Sequence, residues 1–332
     1  MENRRLPVRV TVDGMFTLLD PGEGTATPAP AGYTVTLSPY GTRVDGPDGG
    51  RLLYARPGAP ADPPRGFAGS GSAVPPHQVD LAIVDVVESP ETIGALRRAG
   101  VVGSTTAVIA VGGDHRIHSP AEFERRARLW GASAPSDGQD LVCPPAAWPP
   151  ERASAPHRVL ITGGARSGKS SEAELRLLGE PAVTYLATGP HADGDRAWER
   201  RVAAHRERRP WWWRTEETLD AAQVLGRASG AVLFDCVGTW LAGVMEACGM
   251  WGQEPSPGAE EALAARVAEL LEAWRRCPAY VVAVTNEVGS GVVPATVSGG
   301  LFRDWLGRVN QWLAAESEQA VLATAGRVLE LP

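Results

Sequence analysis

Eight consecutive residues, Gly163-Gly164-Ala165-Arg166-Ser167-Gly168-Lys169-Ser170, follow the pattern GxxxxGK[ST]. That spacing suits one task, the cradling of nucleoside triphosphate phosphates. Small residues let backbone N–H groups turn inward around phosphate oxygens, a helix N-terminus adds partial positive charge, and a lysine ammonium reaches the outer phosphates. Gly163, Gly164, Ala165, Arg166, Ser167, Gly168, Lys169 and Ser170 are therefore the expected nucleotide-binding loop. Lys169 is the expected phosphate-contacting catalytic residue, and Ser170 a ligand to Mg²⁺. The chain carries 32 Lys and Arg residues, and Lys169 is the only lysine among them. A guanidinium is too large and planar for the same cradle, so a sequence otherwise emptied of lysine keeps one here. A second magnesium ligand should be an acidic residue closing an apolar strand, and Asp235 after Val232-Leu233-Phe234 supplies it. The competing role for Asp235 is a carboxylate that caps a strand end.

These residues need a scaffold. From about Arg158 the apolar runs alternate with amphipathic ones, the rhythm of a parallel sheet wrapped by crossover helices. Strands are expected over Arg158–Thr162, Val183–Ala187, Ala231–Cys236, Tyr280–Thr285 and Ala320–Thr324, and helices over Lys169–Leu178, Asp195–Arg206, Glu260–Arg276 and Phe302–Glu318. The fold class is α/β: a P-loop NTPase, RecA-like, with a mostly parallel sheet and flanking helices, preceded by a separate N-terminal α/β domain. Of 28 prolines, 20 fall in residues 1–156. The stretch Cys143-Pro144-Pro145-Ala146-Ala147-Trp148-Pro149-Pro150 sustains neither a helix nor a central strand. Residues 143–157 read as a linker between a domain at 1–142 and one at 158–332. In the first, strands are expected over Val8–Val12, Tyr33–Leu37, Arg51–Ala55, Leu81–Val87 and Ala107–Val111, a loop over 56–76, and helices over Pro90–Ala99 and Pro120–Gly131.

The formal net charge is −7 and the pI about 5.5. No global basic field exists to attract nucleic acid or an anionic membrane. No apolar run is long enough to span a bilayer, and Met1-Glu2-Asn3-Arg4-Arg5 is not followed by a signal-peptide core, so the expected location is the cytoplasm. Cys143, Cys236, Cys248 and Cys277 lack paired CxxC spacing and read as reduced thiols.

Beyond the phosphate loop, residues 158–332 resemble the bifunctional cobinamide kinase/cobinamide-phosphate guanylyltransferase family. Five segments in family order carry the resemblance. They are Thr162 to Ser170; Tyr185-Leu186-Ala187-Thr188; Arg201 to Pro210 with Trp213 to Glu217; Asp235-Cys236; and Thr285 to Pro294 continuing through Phe302-Arg303-Asp304 to Gly307-Arg308-Val309-Asn310-Gln311. The resemblance implies phosphorylation of adenosylcobinamide with ATP or GTP, then transfer of GMP from GTP to give adenosylcobinamide-GDP and pyrophosphate. It implies Mg²⁺, adenosylcobinamide and GTP or ATP as partners, and a homo-oligomer, a trimer. It also makes His205 the residue that carries GMP. An imidazole can attack the α-phosphorus and later leave from the phosphoramidate, with Arg206, Arg208 and Arg209 offsetting phosphate charge. Taken alone, a histidine on a basic helix reads as a solvated surface residue. Arg206, Glu207, Arg208, Arg209, Glu217 and Thr188 join the expected nucleotide-binding set by the same resemblance. Asn286 and Glu287 close a strand where open α/β sheets bind ligands, or form a polar turn. Trp211-Trp212-Trp213 suits core packing or a subunit contact better than ring stacking.

Some positions depart from the family pattern: Ala197 in place of a glutamate, Gly238 and Gly243 in place of polar residues, Gly300 in place of an arginine. They bring substrate affinity or one activity into question, and leave two alternatives open. One is a P-loop kinase for another alcohol; the other is a catalytically weakened nucleotide-binding scaffold. Residues 1–142 loosely resemble a degenerate metallo-β-lactamase-like domain without the HxHxDH motif. His115 and His118 read as surface residues rather than metal ligands.

Overall fold

The computed structural model describes residues 9–12, 15–18, 31–47, 49–62, 78–136, 139–143, 145, 158–189, 196–252 and 254–332. The expected linker, apart from Cys143 and Pro145, lies outside the described residues, as do Val8, Asp195 and residues 63–76 of the expected loop. The chain divides into two compact units, Met1–Ala153 with Leu178–Pro181, and Ser154–Leu177 with Ala182–Pro332.

The first unit contains β1 (Arg9–Val12), β2 (Met15–Leu18), β3 (Thr34–Ser38), β4 (Gly41–Asp45), β5 (Arg51–Ala55), β6 (Leu81–Asp85), α1 (Thr92–Arg98), β7 (Ala107–Val111), α2 (Pro120–Leu129) and β8 (Leu141–Cys143). One sheet has the order β3-β4-β5-β6-β7, antiparallel as far as β5 and parallel beyond it; the other is β2-β1-β8. Buried Leu81, Ile83, Ala107 and Ile109 pack with Val44, Leu52 and Cys143. Three strands, β2, β4 and β8, lie outside the expected elements. Gly41-Thr42-Arg43-Val44-Asp45 carries a single fully buried residue, and β8 is only three residues long. Helix α2 begins as capping chemistry requires. The Ser119 hydroxyl accepts from the Glu122 N–H at 3.2 Å and Pro120 occupies the first turn.

The second unit contains β9 (Arg158–Gly163), α3 (Lys169–Leu177), β10 (Val183–Ala187), α4 (Arg196–Glu207), β11 (Arg214–Glu217), α5 (Ala221–Gly226), β12 (Ala231–Asp235), α6 (Val237–Ala247), α7 (Ala259–Arg276), β13 (Val281–Val284), α8 (Val297–Ala315), β14 (Gln319–Thr324) and β15 (Arg327–Leu331). Its seven strands run in the order β11-β10-β12-β13-β9-β14-β15. Every neighbouring pair is parallel except β14 with β15. Central strands covered on both faces read as unbroken apolar runs. All four residues of β13 are buried, as are the first four of β12.

Helix α7 buries Leu263, Val267, Leu270 and Trp274, spaced four, three and four apart along one face. With α6 and α8 it closes the core over the sheet, where Phe234 meets Trp240 edge to face at 6.5 Å. Helix α8 starts at Val297, five residues before the expected Phe302, because the Thr296 hydroxyl accepts from the Gly299 N–H and caps it. Two further edge strands and two helices, α5 and α6, lie outside the expected elements. Strand β11 is Arg-Thr-Glu-Glu, almost wholly exposed. Strand β15 returns through a tight turn with Ala325 at φ 49° and Gly326 at φ 75°. Helix α6 is apolar on most sides and contains two glycines, so it lacks a clear helical stripe.

Candidate active site

In a parallel sheet all strand C-termini share one edge, and here that edge gathers the chemistry. Strand β9 delivers the phosphate loop and β12 delivers Asp235, with β13 between them. The loop is held from several sides. The Gly163 carbonyl accepts from the Glu287 N–H at 3.1 Å, and the Ser167 carbonyl from the Gly326 N–H at 2.9 Å. A Cβ on Gly163 would stand 2.4 Å from the Ala323 carbonyl oxygen and 2.6 Å from the Ser167 hydroxyl, so only glycine fits the exit of β9. Gly168 takes φ 99° and Arg166 φ 58°, the left-handed values that turn amides to one side of the loop. Gly164, Ala165 and Arg166 form an exposed crest, while Ser167 and Lys169 are buried beneath it. The Lys169 ammonium opens helix α3 and donates to the Gly164 carbonyl at 2.9 Å. Ser170 is the second residue of that helix and half-buried.

Asp235 sits among aromatic and basic groups. Its Oδ2 accepts from the Tyr185 hydroxyl at 2.8 Å and lies 3.9 Å from His205 Nδ1. Burial, and then the Asp235 charge, push the Tyr185 phenol well above its ordinary range, so it stays protonated and donates. The Arg209 guanidinium stacks over the Tyr185 ring at 3.6 Å and donates to the His205 carbonyl at 2.7 Å. Its burial lowers its pKa.

His205 lies near the end of α4 with 17% of its side chain exposed. Its Nδ1 is 3.3 Å from Glu174 Oε1 and 3.2 Å from Arg208 Nη2. Arg208 forks onto Glu174, with Nε to Oε2 at 2.8 Å and Nη2 to Oε1 at 3.1 Å. Burial raises the Glu174 pKa, but the hydrogen bonds and charges of His205 and Arg208 outweigh it, and the net direction is downward.

His205, Arg208, Arg209 and Asp235 of the expected set therefore converge, while Arg206 and Glu217 pair with each other at 2.6 Å in an exposed position. Glu207 is exposed. Thr188 is buried, and its hydroxyl is engaged with the Cys236 carbonyl at 2.8 Å and the Thr239 hydroxyl at 2.9 Å, which fixes the loop after β10 to the start of α6. Asn286 and Glu287 are held by the Asn310 amide on the Asn286 carbonyl and by the Glu287 N–H on Gly163. Glu174 and Tyr185 lay outside the expected site set. An acidic residue five positions after Lys169, on the helix face that buries Ala173 and Leu177, was the available signal.

At two of the departures a larger residue would have to displace the tip of a neighbouring side chain. A Cβ on Gly238 would stand 3.0 Å from the Asn286 side-chain oxygen, and one on Gly243 2.9 Å from Leu219, whereas Gly300 faces open space. The Ala197 side chain lies outside the described residues. Trp213 is buried and Trp211 exposed. His115 and His118 of the first unit are exposed.

Residues 159–331, over half the chain, match the sequence model of the family described as Cobinamide kinase / cobinamide phosphate guanyltransferase. The chain belongs to this family. It is an enzyme of the kinase and guanylyltransferase class. Among relatives of this cobinamide kinase/guanyltransferase family member, the Bifunctional adenosylcobalamin biosynthesis protein CobU of Escherichia coli is 39% identical over 178 residues, covering 51% of this chain and 96% of that protein. The protein of the same name from Salmonella typhimurium matches equally. The Bifunctional adenosylcobalamin biosynthesis protein CobP of Pseudomonas aeruginosa is 38% identical over 182 residues, covering 52% of this chain and 96% of that protein. The family match begins at residue 159 and lends nothing to the metallo-β-lactamase resemblance of residues 1–142. Among the described residues no group of three or more His, Cys, Asp or Glu could hold a metal ion, and no helix is long and apolar enough to cross a membrane.

Proposed function

We propose that the second unit phosphorylates adenosylcobinamide with ATP or GTP and then transfers GMP from GTP, through His205, to give adenosylcobinamide-GDP. The observation that carries this reading is the meeting of His205 with Asp235, Arg208 and Arg209 on the strand-end edge that also bears the phosphate loop. The strand order, with the phosphate-loop strand between β13 and β14, supports a RecA-like P-loop fold.

In both reactions the loop amides and the Lys169 ammonium hold the triphosphate and offset charge on its outer phosphates. Arg208 and Arg209 stand where they offset charge around the α-phosphate. Transfer of GMP begins when an imidazole nitrogen of His205 attacks the α-phosphorus and pyrophosphate leaves. An oxygen of the cobinamide phosphate then displaces the histidine from the same phosphorus. The oxygen donors Ser170 and Asp235 suit Mg²⁺ held mainly by substrate phosphates, since that ion keeps few protein ligands. Bound there, it would neutralise phosphate charge.

A histidine phosphoramidate is cleaved by acid and survives alkali, whereas a serine or threonine phosphoester survives mild acid. Protein incubated with α-³²P-GTP is expected to take up label that is lost in acid and kept in alkali, and cobinamide phosphate should chase it into product. His205→Ala should take up none and keep substantial cobinamide kinase activity. Acid-stable label, or label in His205→Ala, overturns the histidine carrier. Affinity for GTP with no turnover of any cobinamide marks the weakened scaffold instead.

A further inference from the structure

The geometry points to Glu174 as the residue that sets the tautomer and orientation of His205, a role that rests on the reading of His205 as the guanylyl carrier. A histidine nucleophile must keep its lone pair on the nitrogen that faces phosphorus, and the hydrogen bond at the other nitrogen decides this. Three groups surround Nδ1: Glu174 Oε1 at 3.3 Å, Asp235 Oδ2 at 3.9 Å and Arg208 Nη2 at 3.2 Å. Two of them are carboxylates, which accept. The third, Arg208, only donates: one Nη2–H goes to Glu174 Oε1, and the other lies within reach of Nδ1 and competes for it. Two carboxylate acceptors against one donor favour the proton on Nδ1, directed at Glu174, which leaves the lone pair on Nε2.

Glu174 is suited to hold this position. Its side chain is only 6% exposed. It stands on α3, the helix that Lys169 opens, so one rigid element fixes both the phosphate-gripping ammonium and the carboxylate behind the histidine. The Arg208 fork fixes the orientation of the carboxylate and offsets its charge, which keeps it ionised although buried.

The chemical consequence follows the charge. As Nε2 donates its electron pair to the α-phosphorus, the bond from that phosphorus to the bridging oxygen breaks and pyrophosphate leaves with its electrons. The ring then bears a proton on Nδ1 and phosphorus on Nε2, and is cationic. Glu174 faces that developing charge at a fixed distance, the part a buried carboxylate plays behind the histidine of a catalytic triad. When the cobinamide phosphate oxygen attacks, the P–N electron pair returns to Nε2 and the neutral ring is restored with its Nδ1 proton in place. Glu174 touches neither substrate nor the reacting atoms in this scheme; it acts through His205.

Two measurements on the full-length protein test the assignment. Nitrogen-15 NMR of histidine-labelled protein at neutral pH should show the Nδ1–H tautomer for His205, identified by its loss in His205→Ala. Single-turnover labelling with α-³²P-GTP should slow by about 10²-fold or more in Glu174→Gln, as when a triad carboxylate becomes an amide. The half-saturating GTP concentration should move by less than about threefold, separating orientation of the nucleophile from nucleotide binding. Glu174→Asp, which keeps the charge, should recover most of the lost rate. An Nε2–H tautomer, or a labelling rate in Glu174→Gln within about threefold of wild type, overturns the role of Glu174 while leaving the carrier intact. Absence of acid-labile label in the wild type overturns the carrier itself and this inference with it. Should Glu174→Gln fail to fold, the tautomer in the wild type decides.

Discussion

In the proposed phosphate loop Lys169 supplies a single ammonium, and no second lysine exists to substitute for it. Lys169→Ala should lower phosphoryl transfer by about 10³-fold or more and weaken triphosphate binding, measured as cobinamide-dependent nucleotide turnover and as GTP affinity; near wild-type turnover would sink the phosphate-loop assignment. Such residues are legible in sequence because their partners are local. The loop, its strand and its helix fall within about twenty consecutive positions, and the left-handed turn at Gly168 is a local demand. His205 is different. Its surroundings come from Glu174, 31 positions earlier, and Asp235, 30 positions later, so without the family resemblance it reads as one more polar residue on a basic helix. Glu174 was invisible for the converse reason. An acidic residue on a helix is ordinary until the fold buries it.

Among the elements, β9 and β14 hold the loop from below, and their junction has a measurable electrostatic anchor. Glu318, just before β14, accepts from the Arg158 backbone N–H at 2.7 Å and from its guanidinium at 2.5 and 3.1 Å. These bonds lower its pKa to about 2. A carboxylate whose folded pKa is depressed contributes stability above its unfolded value and loses it as pH falls through the folded one. Stability of the second unit should therefore decline between about pH 4.5 and 2, and Glu318→Gln should flatten part of that decline in acid denaturation curves; an unchanged curve removes the anchor. The steric prediction at this scale concerns Gly163→Ala. Its methyl group would press on the Ala323 backbone and the Ser167 hydroxyl. The expected cost is about 1–3 kcal/mol of stability, read by denaturant unfolding, together with weaker GTP binding. The buried central strands and long α7 were legible because their apolar spacing is regular. Polar β11, the hairpin return β15 and the glycine-containing α6 were not, since edges and all-apolar helices leave no clear period.

For the molecule as a whole, the matched stretch fills 96% of the curated relatives, so residues before about 158 have no counterpart in them. A fragment beginning near Ala155 should fold and carry out both reactions at rates within about threefold of the full chain; a folded but inactive fragment would assign a catalytic part to the first half. Usage of a single lysine across 332 residues also gives the protein a property unrelated to its substrates. A protease that cuts only after lysine has one target in the entire chain. That peptide bond lies at the first turn of α3, beside a side chain 7% exposed. The folded protein should resist such a protease until the loop and helix open locally, and then yield two fragments, residues 1–169 and 170–332. Their rate of appearance is a direct clock for opening of the phosphate loop, and any ligand that grips the loop should slow it.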